Sequence, residues 1–146
     1  MVSAVWFADP YSGDYPFFVT AYRNLTNRDG LSVYHWMPHI QSGPVSLLAY
    51  GAASLAGLAG FPVLVALLGL VVLAIVARWC RQRDRSLAVL GIGGLVVVLE
   101  WRSLATWGHL DDALVLVIVM TSLVALERRR PGVAVLLVGL ALAIKP

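Results

Sequence analysis

The stretch that decides the fold is GHLDDALVLVIVMTSLVALERRRPGVAVLLVGLALAIKP, residues 108–146. Two runs without a charged residue, 113–126 and 133–144, are separated by the basic turn ERRRPG. We expect both runs to form helices that cross a membrane, although each is shorter than the roughly 20 residues of a full span and would need its flanking residues to reach across. Asp111 and Asp112 stand at the mouth of the first run, where a carboxylate is costly unless it lies at the water surface or belongs to a site. The stretch therefore raises both a structural and a functional question.

Composition assigns the whole chain to the membrane class. Hydrophobic residues make up 60% and charged residues 13% of the 146 residues, a balance that excludes an ordinary soluble domain. The net charge of +3 is not spread over a face, because seven of the eleven basic residues lie in the clusters RWCRQRDR and ERRR. Nucleic acid is therefore not a predicted partner. Cys80 is the single cysteine and cannot form an internal disulfide.

The chain divides into a polar head and an apolar remainder. Residues 1–43 are polar and rich in aromatic residues, and we expect an extracytoplasmic loop with short juxtamembrane helices. Residues 44–146 are expected to form a transmembrane helical region, which makes the protein an all-α integral membrane protein. About four transmembrane helices are predicted, near residues 45–77, 86–99, 113–126 and 133–146.

Charge asymmetry predicts the orientation of the loops. Residues 78–85 hold four arginines against one aspartate and residues 127–130 hold three against one glutamate, so both loops should face the cytoplasm. Residues 100–112 hold three acids against Arg102 and should face outward. For the weakly acidic head to share that outer side, residues 45–77 must cross once, and we expect a kinked or interfacial helix before that crossing.

Both outward segments carry acids and histidines. The head contributes Asp14, His35, His39 and Gln41, and the 100–112 loop contributes His109, Asp111 and Asp112. This clustering indicates an extracytoplasmic site, although every member also has a simpler interpretation. Asp14 could be a solvated loop acid, its aromatic neighbours an interfacial belt, and the paired aspartates a favourable charge at a helix start. The i, i+4 spacing of the first two histidines is a weak metal pattern, because a proline separates them.

The order of several short motifs resembles the polytopic GT-C glycosyltransferases, in particular the bacterial branch known as glycosyltransferase family 87. The matching stretches are GDYPFFVTAYRNL (13–25), DGLSVY (29–34), QSGPVSLLAYG (41–51), GHLDD (108–112) and RRRPGVAVLLVGLALAIKP (128–146). The motifs are individually loose, and their order along nearly the whole chain carries the resemblance.

The resemblance implies a transferase on the outer face of a bacterial plasma membrane. Such enzymes move a sugar, commonly mannose, from a polyprenyl-phosphate carrier to a lipid-linked or glycan acceptor with inversion. Asp14 matches the family's catalytic base. Arg102 and Lys145 would balance the charge of the phosphate, although Lys145 could equally be an ordinary helix-end residue. His109, Asp111 and Asp112 would line the donor or acceptor pocket. No cofactor is implied, and a divalent metal ion is compatible with the pattern but not indicated by it.

The chain departs from the family at both ends. Members have a membrane helix before the catalytic loop and several further spans after the lysine–proline, so this sequence corresponds to the N-terminal portion of such an enzyme without its first helix. The alternative is a non-enzymatic small membrane protein or accessory subunit, in which the glycine-rich stretches pack helices together.

Overall fold

The protein is helical wherever its structure is described. The computed structural model describes residues 14–55, 60–82, 91, 94–95, 98–99, 101, 103–104 and 107–145, and no strand occurs among them. The predicted all-α class is confirmed. Six helices have continuous bounds within that part of the chain: α1 (Tyr15–Asn24), α2 (Val33–Trp36), α3 (Pro44–Leu55), α4 (Gly60–Gln82), α5 (Leu110–Glu127) and α6 (Pro131–Ile144). Helix α1 continues into a π-helical turn, and the described residues between 91 and 107 are helical as well.

The longer helices run between two ends of the molecule. Helices α5 and α6 are antiparallel neighbours joined by a tight turn, so the chain returns from Pro131 and brings Lys145 beside Asp111 at the start of α5. Helix α4 starts at the same end, where the Phe61 ring lies 4.5 Å from the Tyr15 ring. It finishes at the opposite end, where Trp79 Nε1 donates a hydrogen bond of 2.8 Å to Glu127 at the end of α5.

Helix α3 stays at the first of these ends. The Gly43 N–H, just before α3, donates to the Ile144 carbonyl at 2.6 Å, and Tyr50 within the helix contacts the carbonyl of Gly108 at 2.8 Å. The loop before α3, α3 itself and the two termini of α5 and α6 therefore meet in one place.

The core at this end is largely aromatic. The Phe18 and Tyr50 rings stack with centroids 4.6 Å apart, and Tyr15 packs against both Tyr50 and Phe61. Tyr15 and Phe18 are almost completely buried, so these two residues belong to the core rather than to an interfacial belt. Aromatic side chains bury large areas, which lets short helices dock firmly at this end.

One described helix is long and apolar enough to cross a membrane. Helix α4 has 23 residues and spans about 35 Å at 1.5 Å per residue, compared with roughly 30 Å for the hydrocarbon core of a bilayer. Helices α3 and α6 are apolar but have only 12 and 14 residues. Helix α5 has 18 residues and carries Asp111, Asp112 and Glu127 near its ends. The prediction of about four transmembrane helices is therefore not supported, because the described apolar helices other than α4 end too soon or carry charge.

The connection into α5 depends on a glycine. Gly108 has φ of +78°, and a Cβ atom there would lie 2.7 Å from the backbone nitrogen of Tyr15. The left-handed conformation allows the chain to turn into α5, and the missing side chain allows α1 to approach.

Gly108→Ala should therefore destabilise the protein by about 2 kcal/mol or more, since it adds left-handed strain to a backbone clash. Thermal unfolding in detergent, followed by tryptophan fluorescence, measures the effect. Gly139→Ala in α6 is the matched control, because the added methyl group meets no atom within 4 Å and should be neutral or slightly stabilising. Equal losses in the two variants would contradict this account of Gly108.

Candidate functional site

An open cavity of about 330 Å³ lies where the head, α5 and the end of α6 meet. Helices α1 and α5, the loops before α3 and α5, and the residue after α6 contribute to it, so residues far apart in sequence share one surface. Its walls are formed by Asp14, Phe17, Phe18, His39, Gln41, His109, Asp111 and Lys145. The cavity therefore combines aromatic faces with acid, amide, imidazole and ammonium groups, a mixture typical of sites for polar small molecules.

Asp111 forms the buried floor of the site. Only 4% of its side chain is exposed, and its carboxylate accepts a hydrogen bond of 2.7 Å from the Ser42 hydroxyl. The Tyr50 hydroxyl lies 3.1 Å from the second oxygen, while it accepts the Leu110 N–H at 2.9 Å. Lys145 Nζ lies 3.8 Å away. A buried carboxylate requires such partners, so Asp111 is committed to holding these segments together.

Asp112 joins a histidine and a lysine at the rim. Its carboxylate accepts a hydrogen bond of 2.9 Å from His109 Nδ1 and a second one from the Lys145 ammonium. Partial burial alone would raise the pKa of the Asp112 carboxyl, but the hydrogen bonds from Lys145 and His109 outweigh it and hold that pKa below its ordinary value. The pKa of Lys145 is raised, because its bond to Asp112 outweighs its own partial desolvation. Both groups are therefore charged at neutral pH.

The helix start determines where these acids point. His109 is the N-cap residue of α5, and both aspartates lie in the first turn, near the positive end of the helix dipole. The dipole favours their negative charge, while Asp111 binds Ser42 and Asp112 binds Lys145, both from other segments. The two interpretations of Asp111 and Asp112, as favourable charges at a helix start and as members of a site, are thus compatible.

Asp14 differs from the other two acids in its exposure. Its side chain is 60% exposed, and the nearest ionisable partner of its carboxylate is His109 Nε2 at 3.6 Å, beyond direct hydrogen-bond distance. The Asp14 N–H donates to the carbonyl of Trp107 at 2.9 Å, which fixes the start of α1 against the loop before α5. Asp14 is therefore held by its backbone while its carboxylate remains accessible from the cavity.

The position of Lys145 depends on a close backbone contact. The hydrogen bond from Gly43 N–H to Ile144 holds the last turn of α6 against the loop before α3. A Cβ atom on Gly43 would lie 2.0 Å from the Ala143 carbonyl oxygen, so no larger residue fits without moving α6. This contact places the lysine that follows Ile144 between the two aspartates.

A metal ion would have to compete with these contacts. His109, Asp111 and Asp112 offer ligand atoms that all lie within 4.8 Å of one another. The Lys145 ammonium already contacts both carboxylates, and His109 Nδ1 is bonded to Asp112. Among the described residues, these three could hold a cation, but in this arrangement the Lys145 ammonium supplies the positive charge beside the two carboxylates.

Five of the six predicted site residues come together. Asp14, His109, Asp111, Asp112 and Lys145 form one connected group, whereas Arg102 lies outside the described residues. His39 and Gln41 line the cavity, but His35 is exposed and packs on Trp36.

Sequence reasoning missed the two hydroxyl groups that bind Asp111. Ser42 and Tyr50 lie 69 and 61 residues from that aspartate. Both belong to the stretch QSGPVSLLAYG, but a serine and a tyrosine in an apolar segment carry no signal that pairs them with a distant acid. Only the way α3 docks against α5 reveals them.

No protein family, curated protein or solved structure matches this chain. The glycosyltransferase resemblance therefore stays a prediction from the order of short motifs. The cavity, its charges and its hydrogen bonds are the basis on which a function can be argued.

The Ser42 hydroxyl should contribute measurably to stability. Ser42→Ala leaves one oxygen of the buried Asp111 carboxylate without its donor, which should lower the free energy of unfolding by about 1–3 kcal/mol. Ser54→Ala removes a hydroxyl that bonds only the Gly51 carbonyl in its own helix and should cost less than about 1 kcal/mol. Denaturation of both variants in the same detergent tests the difference, and similar losses would show that Asp111 does not depend on Ser42.

The ion pair between Asp112 and Lys145 predicts that the stability of the folded protein falls at both acidic and basic pH. The pKa of Asp112 in the folded protein lies below 3.8, so its contribution is present above that pH and is lost as the pH falls through the folded value. The pKa of Lys145 lies above 10.5, so its contribution is present below that pH and is lost as the pH rises through the folded value.

The melting temperature should therefore reach a plateau from about pH 4 to about pH 10. Asp112→Asn should lower the melting temperature on this plateau and reduce its fall at acidic pH. Glu127→Gln, an acid-to-amide change at the other end of α5, should leave the fall at acidic pH unchanged. Melting curves over the pH range measure both. If the melting temperature of Asp112→Asn still falls at acidic pH as in the wild type, that fall comes from the protonation of another group.

Proposed function

We propose that the protein is a membrane glycosyltransferase that moves a sugar, most simply mannose, from a polyprenyl-phosphate carrier to an extracytoplasmic lipid or glycan acceptor. The observation that carries the proposal is an accessible carboxylate, Asp14, in the same cavity as a charged lysine, Lys145. This is the pairing that transfer from a phosphate donor requires, because one group must accept a proton while another balances the charge of the leaving phosphate.

The chemistry can be assigned to named groups. Asp14 takes the proton of the acceptor hydroxyl as its oxygen attacks the anomeric carbon of the sugar. The bond between that carbon and the phosphate oxygen breaks on the opposite face, and the polyprenyl phosphate leaves with the electron pair. Lys145 balances the charge on this phosphate, and Asp111 and Asp112 position the lysine. His109 borders both Asp14 and Asp112 and would contact the sugar or its acceptor.

The size and lining of the cavity support a sugar. A volume of about 330 Å³ is near the lower end for small-molecule pockets and accommodates one hexose rather than an extended glycan. Phe17 and Phe18 offer apolar faces, and His39 and Gln41 offer hydrogen-bonding groups. A polyprenyl chain would have to lie outside the cavity, along the apolar helices.

The membrane arrangement is part of the same proposal. Helix α4 would cross the bilayer, since most of its apolar surface is not covered by the rest of the protein. The predicted spans 86–99, 113–126 and 133–146 would need their flanking residues to reach across. The cavity would then face the outside, with residues 1–43 extracytoplasmic and the basic loops 78–85 and 127–130 cytoplasmic. The separation of the Asp14 cavity from Arg128–Arg130 along α5 supports this orientation.

A second candidate is a non-enzymatic membrane protein or accessory subunit. The observation that favours it is the mutual satisfaction of Asp111, Asp112, His109 and Lys145, which hydrogen-bond and ion-pair with one another and with Ser42 and Tyr50. Such a network can serve helix docking alone. The two candidates differ at Asp14, which contributes little to that network.

Asp14→Asn should reduce sugar transfer by at least about 100-fold, the lower range for loss of a general base, and leave membrane insertion and melting temperature unchanged. Transfer of labelled mannose from polyprenyl-phosphate mannose, in membranes containing the protein, measures the activity. Glu127→Gln is the matched control, because it makes the same chemical change at the far end of α5 and should retain activity.

The outcomes separate the two candidates. Full transfer by Asp14→Asn would contradict its role as the base. Transfer by the wild-type protein no greater than in membranes lacking it, together with normal insertion and folding, would favour the accessory role. Loss of transfer in Asp14→Asn but not in Glu127→Gln would support the glycosyltransferase.

A further inference from the structure

A second charged region lies at the end of the molecule opposite the cavity. Helix α4 finishes with Arg78 and Arg81, and the turn between α5 and α6 consists of Arg128, Arg129 and Arg130. We call these five residues the arginine end. In the sequence, residues 78–85 and 127–130 together hold seven arginines against two carboxylates.

Two elements bring this charge to one surface. The hydrogen bond between Trp79 Nε1 and Glu127 Oε2, 2.8 Å long, joins the last turn of α4 to the last residue of α5. Arg78 neighbours that tryptophan, and Arg128 follows that glutamate directly. The two groups of arginines therefore lie at the same end of the molecule, although Arg128 lies 47 residues after Arg81 in the sequence.

Four of the five arginines are exposed, and Arg78 is half-buried. Arg81 and Arg128–Arg130 are exposed, and within the described residues none of them forms an ion pair. Arg78 Nε is buried and has no hydrogen-bond partner among those residues. Five positive charges outweigh the Glu127 carboxylate at this end and repel one another, so the arrangement gains stability when an anion is bound.

Arg129 has a backbone conformation that its side chain disfavours. Its φ is +55°, and it is the only residue other than glycine with positive φ among those described. Glycine is the usual residue at such a position, since a Cβ atom adds strain in the left-handed region. An arginine here costs stability, so it is expected where its charge has a use.

The surroundings favour a lipid over a soluble anion. Leu126 and Val133, which flank the arginine turn on α5 and α6, are 51% and 46% exposed. Trp79 lies at the same level, at the end of the one described helix able to span a membrane. Charge directly bordered by apolar surface matches the boundary between headgroups and acyl chains, and clusters of this size beside a membrane helix attract anionic lipids.

We propose that the arginine end binds the phosphate groups of anionic phospholipids in the leaflet that this end faces. The arginines contact the phosphates, while the exposed leucine and valine of α5 and α6 contact the acyl chains. The binding is independent of glycosyl transfer and would hold equally for an accessory protein.

The test measures lipid binding to the full chain in a neutral detergent. Phosphatidylglycerol should raise the melting temperature in a saturable and salt-sensitive manner, whereas phosphatidylcholine and inorganic phosphate at equal concentration should not. Arg130→Gln should weaken apparent affinity for phosphatidylglycerol about fivefold, and Arg128→Gln/Arg130→Gln about 30-fold, because each arginine near an anionic surface contributes a factor of about five. Arg23→Gln, an exposed arginine in α1, is the matched control and should bind like the wild type.

Variants of Arg129 separate charge from folding. Arg129→Gly should raise the melting temperature without lipid, since it relieves the positive φ, yet weaken phosphatidylglycerol binding. Arg129→Lys should retain most of the binding. Equal stabilisation by phosphatidylcholine, an unchanged affinity in Arg128→Gln/Arg130→Gln, or the same stabilisation by inorganic phosphate alone would each overturn the proposal.

Discussion

The buried carboxylate of Asp111 is the constraint on which the arrangement of this end of the molecule depends. A charged group that is 96% covered must be matched by donors, since an unpaired buried charge costs several kcal/mol. Its partners come from the loop before α3, from α3 itself and from the residue after α6. Those three segments can satisfy the Asp111 carboxylate only when they lie together. This one carboxylate therefore helps to determine how apolar helices with few other polar groups pack at this end.

This arrangement divides the three aspartates into different roles. Asp111 is enclosed by hydroxyl groups, and Asp112 is bonded to Lys145 and His109. Asp14 alone combines high exposure with the absence of a direct hydrogen bond from a charged side chain within the described residues. Two acids therefore hold the cation and the imidazole in position, while the carboxylate of the third remains exposed in the cavity. The same geometry would stabilise the fold in a protein without catalytic activity, so the functional distinction depends on Asp14.

Apolar surface is the second constraint, and the helices satisfy it unequally. Helix α4 is long enough for a bilayer and leaves much of its surface uncovered by protein. Helix α6 buries little more than Ala134, Ala141 and Ile144, while Leu136 and Val135 are over two-thirds exposed. Lipid covers such surfaces without requiring shape complementarity. The arginine end and the acidic cavity then lie at opposite ends of apolar helices, which gives the molecule its charge asymmetry.

The helical class and several of the polar residues of the site could be predicted from the sequence. Uninterrupted apolar runs allow only helices in a lipid environment, and the clusters at 78–85 and 127–130 mark where helices end. The acids and histidine of GHLDD were identifiable because polar groups are costly beside such runs. The expectation of about four spanning helices assumed that flanking residues extend the short apolar runs, whereas α5 carries charged residues near both ends and α6 has only 14 residues.

Sequence alone determined the helical class, the segregation of charge and the identity of the polar residues that require partners. Tertiary structure alone decided which partners they receive. Ser42, Tyr50 and Lys145 meet Asp111 because α3 docks on α5 and because Gly43 lets the end of α6 approach without a Cβ atom in the way. Hydrogen bonds depend on distance and direction within a few tenths of an ångström, and these are set by packing between residues that are far apart in the chain.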